Sequence, residues 1–125
     1  MAWFLDTNVC IQHWRGQHPP AKEVFVPLTV YAELLVGAEK SSQPNRVLQQ
    51  IETLLEAHEI IEITDDLAEH YARTRAILER RGVIIGGNDL WIAATALAHG
   101  ATLVSANTGE FTRIPGLAIE DWSHL

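Results

Sequence analysis

Short, mostly apolar runs alternate along this chain with longer stretches whose apolar residues recur every three or four positions. The runs predict buried β-strands, and the longer stretches predict amphipathic helices. The strand runs are residues 3–5, 24–26, 60–63, 101–104 and, more weakly, 117–119. Parallel strands need crossover connections of about a dozen residues or more, and helices of that length lie between these runs. The alternation therefore predicts an α/β fold of three layers, with helices on both faces of a parallel sheet of five strands.

Capping residues and chain breakers mark the ends of the predicted helices. Thr64 and Asp65 cap a long helix that ends at Gly82, and Asn88 and Asp89 cap a nearly all-apolar helix over residues 90–99. The other helices are predicted over residues 9–14, closed by Gly16, Pro19 and Pro20, over residues 29–38, and from Pro44 to His58. No repeat or linker interrupts this order, so we expect residues 1–125 to form a single domain.

The charge balance leaves the kind of partner open. The chain has 16 acidic and nine basic residues, and its net charge is −7. Such a field does not attract RNA by itself, but bound cations can invert the local sign, and a basic protein partner fits the charge equally well.

Composition also bears on the compartment. The lone cysteine, Cys10, excludes an intramolecular disulfide and fits a reducing cytosol. The N-terminus lacks the basic stretch of a signal peptide, and no apolar stretch approaches the roughly 18 residues of a membrane span. We therefore expect a cytoplasmic protein that does not enter the membrane.

Three acidic residues lie where the pattern predicts either caps or apolar side chains. Asp6 directly follows the first strand, at the edge where functional groups collect in open parallel sheets. Asp89 lies at the start of a helix, whose dipole favours an ionised carboxylate. Glu33 interrupts an apolar helix face, where an unpaired carboxylate is costly.

These acids have two interpretations. Hard oxygen ligands without a neighbouring cysteine or histidine favour Mg²⁺ or Mn²⁺ over zinc, so the three residues could share one metal site. Alternatively, Asp6 and Asp89 are ordinary helix caps and Glu33 pairs with an arginine. Composition and spacing alone do not choose between the two.

Four motifs, in order along the chain, resemble those of the PIN-domain nucleases. They are Leu5-Asp6-Thr7-Asn8, Thr29-x-x-x-Glu33-Leu34-Leu35-x-Gly37, Gly86-x-x-Asp89-x-x-Ile92-Ala93-Ala94-x-Ala96, and a tail that runs from Thr102 through Asn107 to Trp122. The tail is similar to that of the VapC branch, the toxins of bacterial toxin–antitoxin pairs. Each motif alone is weak evidence, but four in order over nearly the whole chain are specific. One departure is the segment between Trp14 and the Glu33 helix, which is shorter than in most members.

The resemblance implies a sheet with strand order 3-2-1-4-5 and an endoribonuclease that depends on Mg²⁺, or on Mn²⁺. Its metal-binding acids match Asp6, Glu33 and Asp89. A fourth position of the catalytic set falls near Asn107, which keeps an oxygen but lacks the charge, so we expect it to orient a water or phosphate beside one firmly held metal. The residues implied to support this set, by hydrogen bonds or as an outer ligand, are Thr7, Asn8, Ser105 and Glu110.

The resemblance also implies partners. We expect an RNA substrate, either tRNA or another structured RNA, a homodimer, and a cognate VapB-like antitoxin whose basic segment lies in the acidic cleft. Two alternatives remain: a housekeeping PIN nuclease of RNA processing, and a catalytically silent α/β binding module. A phospho-acceptor receiver is disfavoured because no lysine follows residue 40, and a DxD phosphatase because Asn8 occupies the second acidic position.

Overall fold

The structure is a computed structural model that describes residues 2–14 and 23–123. These residues contain five strands: β1 Trp3–Leu5, β2 Val24–Pro27, β3 Ile60–Ile61, β4 Thr102–Val104 and β5 Ala118–Glu120. All neighbouring strands pair in parallel, in the order β3-β2-β1-β4-β5. The predicted α/β class and strand order are confirmed.

Helices connect the strands and cover the sheet. They are α1 Thr7–Trp14, α2 Leu28–Lys40, α3 Pro44–Ala57, α4 Asp65–Arg80, α5 Gly87–His99 and the short α6 Thr108–Phe111. The first three pack against one another, and α4 packs along α5. Because crossovers between parallel strands are right-handed, α1 to α3 lie on one face of the sheet and α4 to α6 on the other.

The hydrophobic core lies on both sides of the central strands. Leu5, Val26 and Leu103 are fully buried, as expected for strands covered on both faces. The nearly all-apolar character of α5 has the same cause, since Ile92 and Ala94 have no exposed surface. This core holds the carboxyl edge of β1 and β4 in a fixed position, and the polar residues of interest follow those strands.

Several predicted boundaries differ by one to three residues, and two of these differences have a clear physical cause. Helix α5 begins at Gly87 with Gly86 as its N-cap, so Asn88 and Asp89 lie in its first turn instead of capping it. Strand β3 ends at Ile61 because Pro27, its pairing partner, is the last residue of β2. Residues 62 and 63 therefore have no strand to pair with.

Smaller findings complete the comparison with the sequence. Cys10 is fully buried, and burial raises the pKa of its thiol, so it is a core residue. No helix in the described part of the chain has both the length and the apolar character needed to cross a bilayer. Gly16, Pro19 and Pro20, which were predicted to close the first helix, lie outside the described residues, as does most of the short segment between Trp14 and the Glu33 helix.

Candidate active site

Asp6 is anchored at the carboxyl edge of the sheet through both of its carboxylate oxygens. Its backbone N–H donates to the carbonyl of Val104 at 3.0 Å, which joins the ends of β1 and β4. The Ser105 hydroxyl donates to Oδ2 at 2.8 Å, and the Thr7 backbone N–H donates to Oδ1 at 2.8 Å. Asp6 therefore accepts one hydrogen bond from the first backbone N–H of α1 and a second from the buried Ser105 hydroxyl, so its side chain is fixed from both sides.

Glu33 reaches the same edge from α2. The Thr7 hydroxyl donates to Glu33 Oε2 at 2.7 Å, so Thr7 contacts both acids, one through its backbone and one through its side chain. Among the described residues no arginine forms an ion pair with Glu33. The polar partner that the apolar helix face required is thus a hydroxyl.

Asp89 and Glu110 form the other side of the site. Glu110 Oε2 accepts from the Asn107 amide at 3.0 Å, and Glu110 Oε1 accepts from the Gly86 backbone N–H at 3.3 Å. Glu110 in turn hydrogen-bonds to the carboxyl of Asp89. Two carboxyl groups this close repel each other when both are ionised, which disfavours the charged form of Asp89.

The pKa values of Asp6 and Asp89 are raised because these acids are partly buried and close to one another. The pKa of Asp89 is raised to about 6, and burial is the largest cause. Repulsion by Glu110, Asp6 and Glu33, and a hydrogen bond with Glu110, act in the same direction. Burial and repulsion by Glu33 also raise the pKa of Asp6, although the hydrogen bonds from Ser105 and Thr7 act in the opposite direction. No basic side chain of the described residues is among the causes of either shift.

Such a site fits a hard divalent cation. Its donors are carboxylate oxygens flanked by hydroxyl and amide groups, which suit Mg²⁺ or Mn²⁺ rather than zinc. Within residues 2–14 and 23–123, however, no three acidic, histidine or cysteine side chains already stand in metal-binding geometry. Hydrogen bonds from Ser105 and Thr7 hold the carboxylates of Asp6 and Glu33 in their present positions. A cation that binds there would therefore have to draw the acids closer together.

The structure therefore brings together most of the residues singled out in the sequence. Asp6, Glu33 and Asp89 interact electrostatically, and Thr7 and Ser105 support them. Asn8 is exposed, and no described residue hydrogen-bonds to its side chain.

Asn107 and Glu110 contact each other in the structure. Asn107 is exposed and donates its amide to Glu110, while its backbone N–H donates to Ser105 Oγ at 3.0 Å. Glu110 lies near Asp89, because its charge is among the causes that raise the pKa of that carboxyl. The sequence signal for the contact between Asn107 and Glu110 was their spacing, since residues three apart on a helix are neighbours. The hydrogen bond from the Gly86 backbone to Glu110 could not be predicted from the sequence, because glycine has no side chain to indicate it.

This fold and its cluster of acids define the class of the protein. The chain belongs to the PIN-domain family, whose sequence model matches residues 3–117. Ribonuclease VapC2 of Rickettsia felis and the tRNA(fMet)-specific endonuclease VapC of Salmonella typhimurium are each 35% identical to it, and each alignment covers 98% of both sequences. Within the family the chain falls in the VapC branch, as its tail predicted.

Solved structures agree with this placement. VapBC2 from Rickettsia felis, bound to a DNA fragment from its promoter, matches with a TM-score of 0.89 at 34% identity, over 98% of this chain and 99% of that one. VapBC-1 from nontypeable Haemophilus influenzae matches with a TM-score of 0.86 at 32% identity, over 98% of each chain. VapBC-5 from Mycobacterium tuberculosis, described as a member of the VapBC family of toxin–antitoxin systems, matches with a TM-score of 0.74 at 28% identity, over 96% of each chain.

Proposed function

We propose that this protein is a Mg²⁺-dependent endoribonuclease, with Mn²⁺ as a substitute, and that it is the toxin of a toxin–antitoxin pair. The observation that carries the proposal is the cluster of Asp6, Glu33, Asp89 and Glu110, in which the pKa values of Asp6 and Asp89 are raised and no described basic side chain offsets the repulsion. A bound cation would relieve this repulsion, and the relatives named ribonucleases support the reaction.

Asp6, Glu33 and Asp89 would hold the metal. When bound, it would stabilise charge on the phosphodiester and lower the pKa of a water molecule. The reaction adds water across the ester: a bond forms between the water oxygen and phosphorus, and the bond from phosphorus to the leaving nucleoside oxygen breaks. The water loses a proton and the leaving oxygen gains one, so the step balances.

The protein's own residues prepare this site. Ser105 and Thr7 orient Asp6, and Thr7 orients Glu33, so the ligand oxygens are pre-positioned. Asp89 must be ionised to bind metal, and its pKa of about 6 permits this at neutral pH. Glu110 takes the place of a fourth acid, and the Asn107 amide fixes its orientation.

We propose a structured RNA, with tRNA the first candidate, as the substrate. The Salmonella typhimurium relative, at 35% identity, is named a tRNA(fMet)-specific endonuclease, and this chain aligns with it along nearly its whole length. A single cysteine and an RNA substrate agree with a cytoplasmic site of action.

The experiment is cleavage of total RNA, with the new ends mapped after brief expression. Asp6→Asn and Asp89→Asn should each lower chelator-sensitive cleavage by about a hundredfold or more, because each removes a charged ligand. Asp66→Asn is the matched control, since Asp66 is an exposed residue on α4 and the change in charge is the same. Cleavage that persists in both site variants would refute the proposal.

The partner we propose is a VapB-like antitoxin with a basic segment that lies against the four acids. The matched solved structures named VapBC support such a partner, and the net charge of −7 gives it an electrostatic basis. Co-expression of the neighbouring small reading frame should yield a complex that dissociates at high salt. A complex insensitive to salt would contradict the electrostatic part.

We also propose a homodimer. Ile84, 88% exposed, and Val36, 51% exposed, are large apolar side chains that association could cover. Light scattering of the purified protein should give twice the mass of one chain, and Ile84→Lys should give a monomer.

A further inference from the structure

A groove of about 520 Å³ lies between α1, α2 and α3 and is continuous with the candidate active site. Thr7 and Glu33, the pair joined by the 2.7 Å hydrogen bond, are part of its lining. Ile11, Leu34 and Val47 give it an apolar wall. Its volume lies in the range of about 300–1,000 Å³ that is typical of small-molecule sites, so it can hold a nucleotide.

Arg46 is the one basic side chain in the described lining of this groove, which we call the Arg46 groove. It is exposed on α3, and its Nη1 donates to Gln43 Oε1 at 3.3 Å. No carboxylate among the described residues forms an ion pair with it, although the protein carries a net charge of −7. Most of its five N–H donors are therefore available, and their planar arrangement matches a phosphate.

The remaining polar groups of the groove suit the edge of a base. Gln43 and Gln50 each offer an amide donor and acceptor, and Ser41 and Ser42 offer hydroxyl groups. Single-stranded RNA is recognised by such groups on base edges, combined with contacts to the base faces and phosphates. A polar rim, an apolar wall and one arginine supply all three kinds of contact.

We propose that the Arg46 groove binds the nucleotide next to the cleaved phosphodiester, with Arg46 on that nucleotide's phosphate. The inference rests on the proposed ribonuclease function and adds a substrate subsite to it. A basic protein segment is the alternative occupant, since Glu33 in the lining and the neighbouring acids attract it and only Arg46 repels it, and the test separates the two. RNA has the opposite preference: its phosphates need Arg46 and avoid the acids.

The test uses a short RNA hairpin that carries the mapped cleavage site in its single-stranded loop. Arg46→Gln should raise KM about tenfold with little change in kcat, since it removes one charge-assisted contact away from the cleaved bond. The slope of log KM against log salt should fall by about 0.7, the value of one phosphate contact on a single strand. Arg80→Gln, at an exposed position on α4, removes the same charge outside the groove and should leave both quantities unchanged.

A modified substrate locates the contact. A neutral methylphosphonate at the flanking linkage should raise KM for the unchanged protein and abolish the difference between it and Arg46→Gln. Gln50→Leu, which removes a base-edge partner and keeps Arg46, should raise KM without altering the salt slope. Melting temperatures equal to that of the unchanged protein will show that the variants are folded.

Failure of this inference differs from failure of the function. If the unchanged protein cleaves RNA and Arg46→Gln keeps the same KM and salt slope, the subsite is refuted and the ribonuclease stands. If Arg46→Gln changes only the affinity for a basic antitoxin peptide, the groove is a protein-binding site and the inference is wrong. If the unchanged protein neither binds nor cleaves RNA, both proposals fall.

Discussion

The hydroxyl of Ser105 donates a 2.8 Å hydrogen bond to Asp6 Oδ2 and so joins two residues that are 99 positions apart in the sequence. Ser105 is fully buried, and its Oγ also accepts from the backbone N–H of Asn107 at 3.0 Å. One hydroxyl therefore connects the end of β1, the end of β4 and the start of α6. Its hydrogen bond opposes the rise that burial causes in the pKa of Asp6.

Ser105→Ala should move the acidic limb of the pH–activity profile upward. Without the hydroxyl, burial and Glu33 raise the pKa of Asp6 further, so a smaller fraction of Asp6 is ionised at a given pH. We expect kcat/KM to fall about tenfold below neutral pH and to recover partly as the pH rises. The measurement is the pH dependence of kcat/KM at a fixed, subsaturating Mg²⁺ concentration, because saturating metal would displace the proton from Asp6.

Ser105→Thr is the matched control, because it keeps a hydroxyl on the same carbon atom. It should keep the acidic limb of the unchanged protein, apart from a small cost for the added methyl group in a buried position. An unchanged acidic limb in Ser105→Ala would show that this hydrogen bond does not set the pKa of Asp6.

Most of the fold was predictable from local sequence. Buried strands and amphipathic helices each require apolar residues at particular spacings. Both patterns can be recognised within a short stretch of sequence. The end of β3 could not be predicted from local sequence, because it depends on where Pro27 ends the neighbouring strand. The start of α5 was missed for a different reason: Gly86 and Gly87 have no side chain to mark a helix start, whereas Asn88 and Asp89 do.

The site was predictable in its acids and not in their connections. Asp6 could be placed from its position after β1, and Glu33 from the cost of a charge on an apolar face. The contact between Glu110 and the Gly86 backbone depends on how α6 packs beside α5, which no local pattern encodes. The hydroxyl partner of Glu33 was likewise open, since an arginine would have satisfied the same requirement.

Asp89→Asn should stabilise the metal-free protein at neutral pH. The pKa of Asp89 is about 6 in the folded protein against an ordinary value of 3.8, so folding favours its protonated form. The stability that this protonated carboxyl contributes is complete below pH 3.8 and is lost as the pH rises to about 6. Asparagine is neutral at every pH and avoids this loss.

Thermal unfolding in a chelator, from pH 4 to pH 8, measures this effect. Asp89→Asn should melt a few degrees above the unchanged protein at pH 7, and the two should converge near pH 4. Adding Mg²⁺ should raise the melting temperature of the unchanged protein and have much less effect on the variant. A variant that is less stable at pH 7 would show that Asp89 has a favourable partner in the metal-free protein.

Thr7→Val should weaken activity by misplacing Glu33. Valine keeps the shape of threonine but removes the donor of the 2.7 Å hydrogen bond to Glu33 Oε2, while the backbone contact to Asp6 remains. We expect the apparent affinity for Mn²⁺ to fall about tenfold, as is typical when a group supporting a metal ligand is lost. Thr7→Ser should retain the affinity, and isothermal titration of both variants decides the matter. Equal affinities would mean that Glu33 is positioned by α2 alone.

Glu110→Gln and Asn107→Ala should differ in size, although the two side chains contact each other. Glu110→Gln removes one of the four carboxylates, so it should lower kcat about tenfold or more and also lower the pKa of Asp89 by ending the repulsion. Asn107→Ala removes only the 3.0 Å hydrogen bond to Glu110, whose other oxygen keeps the Gly86 N–H, so we expect a loss of only a few fold.

Single-turnover cleavage gives the rates, and NMR titration of the carboxyl carbons gives the pKa of Asp89. If Asn107→Ala is the more damaging variant, the oxygen of Asn107 acts on the substrate or metal directly, and Glu110 is only its support.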